Sequence, residues 1–204
     1  VLETLQTDVL PRFLSEHPGV SYGLSGETEE MRESMTSLAI GFAAALFAIY
    51  VCLAIPFNSY WQPVIVMVSI PFGIIGAFLG HMIMGYEISL MSAFGVVALA
   101  GVVVNDSLVL VHTANESRAA GEKPWDAVFG AGIRRFRPVM LTSLTTFLGL
   151  APMIMETSMQ ARFLIPMAIS LGFGILFATA IVLFLLPALY LVLDDIRRFL
   201  HPEE

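Results

Sequence analysis

Between Glu33 and Glu87 the chain carries no charged residue. Residues 34–86 leave room for two membrane helices of about 20 residues each. Further uncharged stretches run over 88–105, 138–155 and 163–193, and Asp106 alone interrupts the run from Ile88 to Asn115. Hydrophobic residues make up 57% and charged residues 13%, against about 25% charged in an ordinary soluble domain. The remaining polar surface could not cover five such helices in water. In lipid every backbone polar group must be satisfied within the chain, which favours helices. The pattern therefore predicts an all-α polytopic membrane protein with five transmembrane helices, at about 35–55, 62–84, 88–114, 137–156 and 164–193, within a bundle over 34–196.

The basic residues orient it. Arg118, Lys123, Arg134, Arg135 and Arg137 lie between the third and fourth expected spans, and Arg197 and Arg198 lie in the tail. With five spans these share one side, which the positive-inside rule makes cytoplasmic. Residues 197–204 are then a cytoplasmic tail, and residues 1–33 lie outside the cytoplasm. Leu2, Leu5, Val9, Leu10 and Phe13 suit a short amphipathic helix broken by Pro11. His17-Pro18-Gly19 is a turn signal, and Val20 to Leu24 alternates as a strand does. The stub reads as the end of an α/β domain, too small to bury a core alone. It starts at Val1 and shows no leader-like pattern. The chain is accordingly expected to be the C-terminal piece of a longer membrane protein.

Small residues recur four apart: Gly41 and Ala45, Gly76 and Gly80, Ala168 and Gly172. Such pairs let helix backbones approach closely in lipid. Pro71 should kink the second span. Residues 115–136 read as a cytoplasmic surface helix with turns, anchored by Trp125, Val128 and Phe129.

Asp106 lies well inside the third span, between Gly101-Val102-Val103-Val104-Asn105 and Ser107-Leu108-Val109-Leu110-Val111. An ionised carboxylate there is costly, so it must take up a proton or find a cation. Either response makes it a candidate proton carrier; a neutral acid joining helices is the structural alternative. Asp106 shares a helical stripe with Gly95 and Thr113, and Asn105 shares one with His112. On the fourth span Arg135 and Thr142 are seven apart, on one stripe extended by Thr145, Thr146 and Gly149. Arg134 and Arg137 are explained by orientation alone.

Other chemistry is excluded or weak. The net charge of −7 argues against nucleic-acid binding. One cysteine, Cys52, allows no internal disulfide framework and no Cys-cluster metal site. The 11 methionines share no tight spacing and read as packing. No nucleotide-binding or hydrolase motif occurs, and no cofactor is implied. Transport by such a chain would draw on an ion gradient.

Three stretches carry a resemblance: Pro56-Phe57-Asn58-Ser59-Tyr60-Trp61-Gln62-Pro63 with Ile70 to Ala77, Gly101 through Val111, and Arg135-Phe136-Arg137-Pro138-Val139-Met140-Leu141-Thr142-Ser143-Leu144. Together they resemble spans eight to twelve of resistance-nodulation-division (RND) efflux permeases, in the hydrophobe/amphiphile drug-exporter branch. The resemblance implies a bacterial inner-membrane homotrimer that exchanges protons for amphiphiles. It also implies a periplasmic adaptor, an outer-membrane channel and a drug pocket in periplasmic domains outside this chain. The N-terminal stub would end the periplasmic porter domain. In the family a proton relay joins two aspartates of the fourth span to a lysine in the tenth and to an arginine and a threonine in the eleventh. Arg135 and Thr142 match the last two. Asn105 stands in the lysine's place and is followed by Asp106, a pattern similar to the fourth-span motif and in keeping with an internal repeat. Arg135 as counter-charge, Asp106 as the titrating group and a proton-inactive subunit of a mixed trimer remain open.

Proton-driven export of amphiphiles is thus the leading expectation. The alternatives are a protein-translocation accessory or membrane scaffold on the same fold, and a heavy-metal exporter with ligand methionines near the periplasmic mouth.

Overall fold

A computed structural model describes residues 10–16 and 27–200, and among them every regular element is helical. The chain divides into two units, Val1–Ile40 and Gly41–Glu204. The first contains α1 (Leu10–Glu16) and the start of α2 (Glu27–Phe57). Pro11, expected to break the N-terminal helix, is the second residue of α1. A helix's first turn tolerates proline because its N–H groups have no partner within the helix. The strand expected over Val20–Leu24 lies outside the described residues.

In the second unit α2 ends at a turn where Asn58 adopts a positive φ of 44°. After it come α3 (Trp61–Met67), α4 (Ser69–Met84), α5 (Leu90–Ala119), α6 (Pro124–Ile154), a short 3-10 turn (Ala161–Phe163) and α7 (Ile165–Leu200). The break between α3 and α4 falls three residues before Pro71, where a proline removes a backbone donor and crowds the preceding turn. The Ser69 hydroxyl donates to Val66 O (2.5 Å), occupying a carbonyl beside the break. Gly85, at φ +70°, ends α4 in a left-handed cap. Ser89 then opens α5 through a capping box in which Ser89 and Ser92 each accept the other's backbone N–H. Pro124 at the first turn starts α6.

The helices alternate in direction. At one end Gln62 of α3, Asn115 of α5 and Tyr190 of α7 meet through side-chain hydrogen bonds. At the other, α4 turns through 85–89 into α5, and α6 passes through 155–164 into α7. α7 packs on α4, α5 and α6. Glycine permits the closest approaches. A Cβ on Gly80 would stand 2.5 Å from Phe173 Cβ, and one on Gly95 would stand 2.6 Å from Met167 O. Gly76 lies against Phe173, Gly174 and Phe177. Ala168 is buried with Ile154, Ile165 and Ile169, and Gly172 faces Phe147 of α6. Small residues thus bring backbones together where apolar burial gives no preference over lipid.

Four of the expected spans lie in helices long and apolar enough to cross a membrane: Glu30–Phe57, Trp61–Met84, Leu90–Ala119 and Ile165–Ile196. α6 has 31 residues and covers 137–154 of the expected 137–156, but it is less apolar. Arg134, Arg135 and Arg137 share it with Thr142, Ser143, Thr145 and Thr146 and with two internal prolines, Pro138 and Pro152. α6 is also continuous from Pro124, so the surface helix expected over 115–136 is not a separate element: α5 carries on through Ala119 and α6 begins five residues later. Trp125 and Phe129 stack in parallel on the outside of α6, ring centroids 6.2 Å apart. Val128, expected beside them, is buried in the core. Positions four apart share a helix face, whereas position 128 is turned about 100° from position 129. Large apolar side chains such as Phe47, Ile55, Ile83 and Phe184 point outward, the build of a multi-pass membrane protein.

Candidate functional site

Three consecutive residues of α5 point in three directions, as a 100° step per residue requires. Ser107 is fully buried and lies 2.8 Å from Val103 O and 3.1 Å from Ser69 Oγ, the latter on the far side of the α3–α4 break. Asp106 is half-buried and Asn105 is exposed. Neither has a hydrogen-bond or ion-pair partner among the described residues. A carboxylate midway along an apolar helix, unpaired by its own bundle, must be protonated or be met by groups from elsewhere.

Two turns further along the same stripe of α5, seven residues from Asp106, lies Thr113. It is buried, and its hydroxyl donates to Val109 O at 2.9 Å. Arg135 of α6 reaches across and donates from Nε to Thr113 Oγ1 at 2.9 Å. Thr142 is exposed and donates to Pro138 O at 2.9 Å. Thr145 and Thr146 likewise bond back to α6 carbonyls, from Leu141 and Thr142. Arg135 and Thr142 therefore share a helix, but their side chains bond to different partners. Sequence spacing had placed Thr113 on the Asp106 stripe; only the packing of α5 on α6 makes it the partner of Arg135. A Cβ on Gly101 or Gly149 would meet nothing within 4 Å. Asn105, Thr142 and Thr145 are exposed, Asp106 is half-buried, and no described residue packs at either glycine's Cβ position.

Toward the same end as Arg135, the arginine-bearing α6 is tied to α5 again. Arg134 donates to Ser117 Oγ at 2.5 Å. Arg118 pairs with Asp194 of α7 at 3.3 Å. Asn115 and Gln62 exchange amide hydrogen bonds of 2.8 and 3.1 Å, and the Tyr190 hydroxyl donates to Asn115 Oδ1 at 2.8 Å. His112 is exposed and lies 3.6 Å from Glu116. These groups close the Arg-rich end of the bundle.

The opposite end carries different chemistry. His81 is buried, with Nδ1 2.9 Å from Ala77 O and Nε2 2.8 Å from Ser92 Oγ. Glu156 is exposed, and the backbone N–H groups of Ser158 and Thr157 hold its carboxyl below the ordinary glutamate value. Met82, Met155 and Met159 stand out at 78%, 78% and 81% exposure. Among the described residues no group of three or more His, Cys, Asp or Glu could hold a metal ion. An apolar groove of about 440 Å³ between α6 and α7 is lined by Phe129, Ile133, Phe136, Leu183, Phe184 and their neighbours and contains none of the residues above.

The AcrB/AcrD/AcrF family matches the chain over residues 8–194. Among solved structures, two crystal forms of a heavy metal efflux pump are similar over 91% of this chain, with 27% and 26% identity and TM-scores of 0.76 and 0.72. The chain spans about a fifth of their length, 20% and 19% respectively.

Proposed function

We propose, from the premise that the chain belongs to the AcrB/AcrD/AcrF family of RND transporters, that it forms spans eight to twelve of a proton-driven exporter of amphiphilic small molecules. In this reading α6 is the fourth of the five spans, despite its lower hydropathy. The Arg-rich end faces the cytoplasm, and the N-terminal stub ends a periplasmic porter domain. The protein sits in the inner membrane of a cell with an outer membrane, as a homotrimer working with a periplasmic adaptor and an outer-membrane channel. Its substrates belong to the hydrophobe/amphiphile class, and their pocket lies outside this chain.

One observation carries the reading: Asp106, in the middle of α5, is half-buried and has no side-chain partner among the described residues. A carboxyl group so placed can take a proton from one side of the membrane and give it up to the other when the surrounding helices rearrange. Asn105 beside it offers an amide that can accept from the protonated acid or donate to the ionised one. Arg135 supplies a permanent positive charge two turns away, and Thr142 on α6 offers an exposed hydroxyl. The protein does no covalent chemistry; it couples a proton's passage to a change of access. Asp106→Asn in the intact protein tests this: ethidium efflux from cells and proton flux in proteoliposomes should both fall at least tenfold, and unchanged flux would remove Asp106 from the relay.

A second reading, export of a heavy-metal cation, has its own support. The two similar solved structures are described as a heavy metal efflux pump, and exposed methionines gather at the end opposite the arginines. Thioethers suit soft ions such as Ag(I). Silver sensitivity of a deletion strain, with ethidium sensitivity unchanged, would favour this reading over the first.

A further inference from the structure

The geometry points to Thr113 as a positioning residue that holds the Arg135 guanidinium on the Asp106 stripe of α5. The inference rests on the reading of Asp106 as a relay group. Arg135 starts on α6, and its own helix offers Thr142 seven residues away. Its Nε nevertheless bonds across the interface to Thr113 Oγ1 at 2.9 Å. Asp106 and Thr113 are seven residues apart on one helix, so they share a stripe and lie roughly 10 Å apart along the axis. Attraction between a guanidinium and a carboxylate at such a spacing still counts in a low-dielectric setting.

Thr113 is suited to this task and is not needed for the helix. Its hydroxyl proton is already used on Val109 O, so the arginine takes a lone pair that α5 does not require. Thr113 is buried while Arg135 is only half-buried, so the threonine is the fixed member of the pair. Bonding through Nε orients the planar guanidinium and leaves its four Nη–H donors. Those four have no partner among the described residues. They are available to a carboxylate or to a file of water leading toward Asp106. The neighbouring turn shows the contrasting case. Ser117, four residues on, accepts from Arg134, but Arg134 is exposed and lies beside Gly130. Hydroxyls at 113 and 117 therefore receive successive arginines; both lie on the Asp106 stripe, but 117 is a further turn away, roughly 16 Å from Asp106 along the axis.

The test uses the intact protein in proteoliposomes with ethidium as the exported probe. Two readouts are taken: proton flux, and the Arg135 Nε–H resonance in solid-state NMR after arginine labelling. Thr113→Val keeps the shape but removes the acceptor; it should shift the resonance and lower flux roughly tenfold or more, the size of a lost hydrogen bond to a charged group. Thr113→Ser restores an acceptor and should keep both within about twofold of the parent. Ser117→Ala should leave flux unchanged. Any other pattern at position 113 overturns the inference: an unmoved resonance, unchanged flux in Thr113→Val, or a serine variant that behaves as the valine does. Asp106→Asn, run alongside, separates the two levels. If it loses flux while Thr113→Val does not, the positioning role fails and the relay reading stands. If it keeps full flux, the relay reading fails, and this inference with it.

Discussion

Alanine at Gly80 should force α4 and α7 apart. Its Cβ would lie 2.5 Å from Phe173 Cβ and 2.6 Å from Phe173 Cγ, whereas carbon atoms pack at about 3.5–4.0 Å. Phe173 Cβ is attached to the α7 backbone and cannot rotate out of the way. Its ring is held edge-on by Phe147 of α6, centroids 5.4 Å apart and planes at 86°. Relief therefore requires the helices to separate by roughly 1 Å, the shortfall from contact distance. Separation also loosens the neighbouring Gly76, which lies against Phe173, Gly174 and Phe177 one turn along the same face. Overpacking of this kind costs typically about 1–3 kcal/mol. Gly41→Ala is the control, since a Cβ there meets nothing within 4 Å, and alanine favours a helix over glycine by up to about 1 kcal/mol in water. Reversible unfolding of the intact protein in mixed detergent micelles, followed by circular dichroism, measures both. Gly80→Ala should unfold at clearly lower denaturant fraction, and Gly41→Ala at an equal or higher one. Equal stability of the two variants would refute the claim that glycine sets the α4–α7 distance.

Other consequences are as direct. Asn115→Ala strands the buried Gln62 amide and removes the Tyr190 acceptor, which should cost about 1–3 kcal/mol; Gln62→Leu combined with Asn115→Leu should recover much of the loss in the same unfolding assay. Glu156 tests a pH dependence: because its folded-state pKa is depressed by the Thr157 and Ser158 N–H groups, the stability that it gives this loop is complete above the ordinary glutamate value of about 4.3 and disappears as pH falls through the lower folded value. Amide exchange at Thr157 and Ser158 should therefore quicken relative to neighbouring loop amides on acidification, beyond the intrinsic pH dependence, and Glu156→Ala should remove that extra change.

Charge spacing foretold much of the fold because lipid penalises charge so heavily. The expected spans 35–55, 62–84, 88–114 and 164–193 fall largely within α2, the α3–α4 pair, α5 and α7. α6 departs from the simple pattern because Arg134, Arg135 and Arg137 lie within the helix and its hydroxyls and prolines lower the apolarity of the rest. The break before Pro71 could be anticipated from proline's missing donor. The burial of Val128 could not be, since Trp125, Val128 and Phe129 look alike until the helix phase against α5 and α7 is known. At the candidate site, Asp106 stood out as the lone acid in an apolar run. The Arg135–Thr113 bond did not, because spacing along one helix says nothing about which residue of another helix it meets. Gln62 and Asn115 are 53 residues apart and carry no local pattern that joins them. The family resemblance pointed to Arg135 and Thr142 together, and the structure gives their side chains different partners.

The most direct measurement of the proposed coupling is infrared difference spectroscopy on the intact protein in liposomes, with carboxyl-labelled aspartate, while a proton gradient is imposed and released. A protonated-carboxyl band that appears and vanishes with the gradient, shifts with the label and is missing in Asp106→Asn is the expected result. A spectrum in which Asp106 holds one charge state throughout transport would contradict the proposal that its protonation cycle drives export.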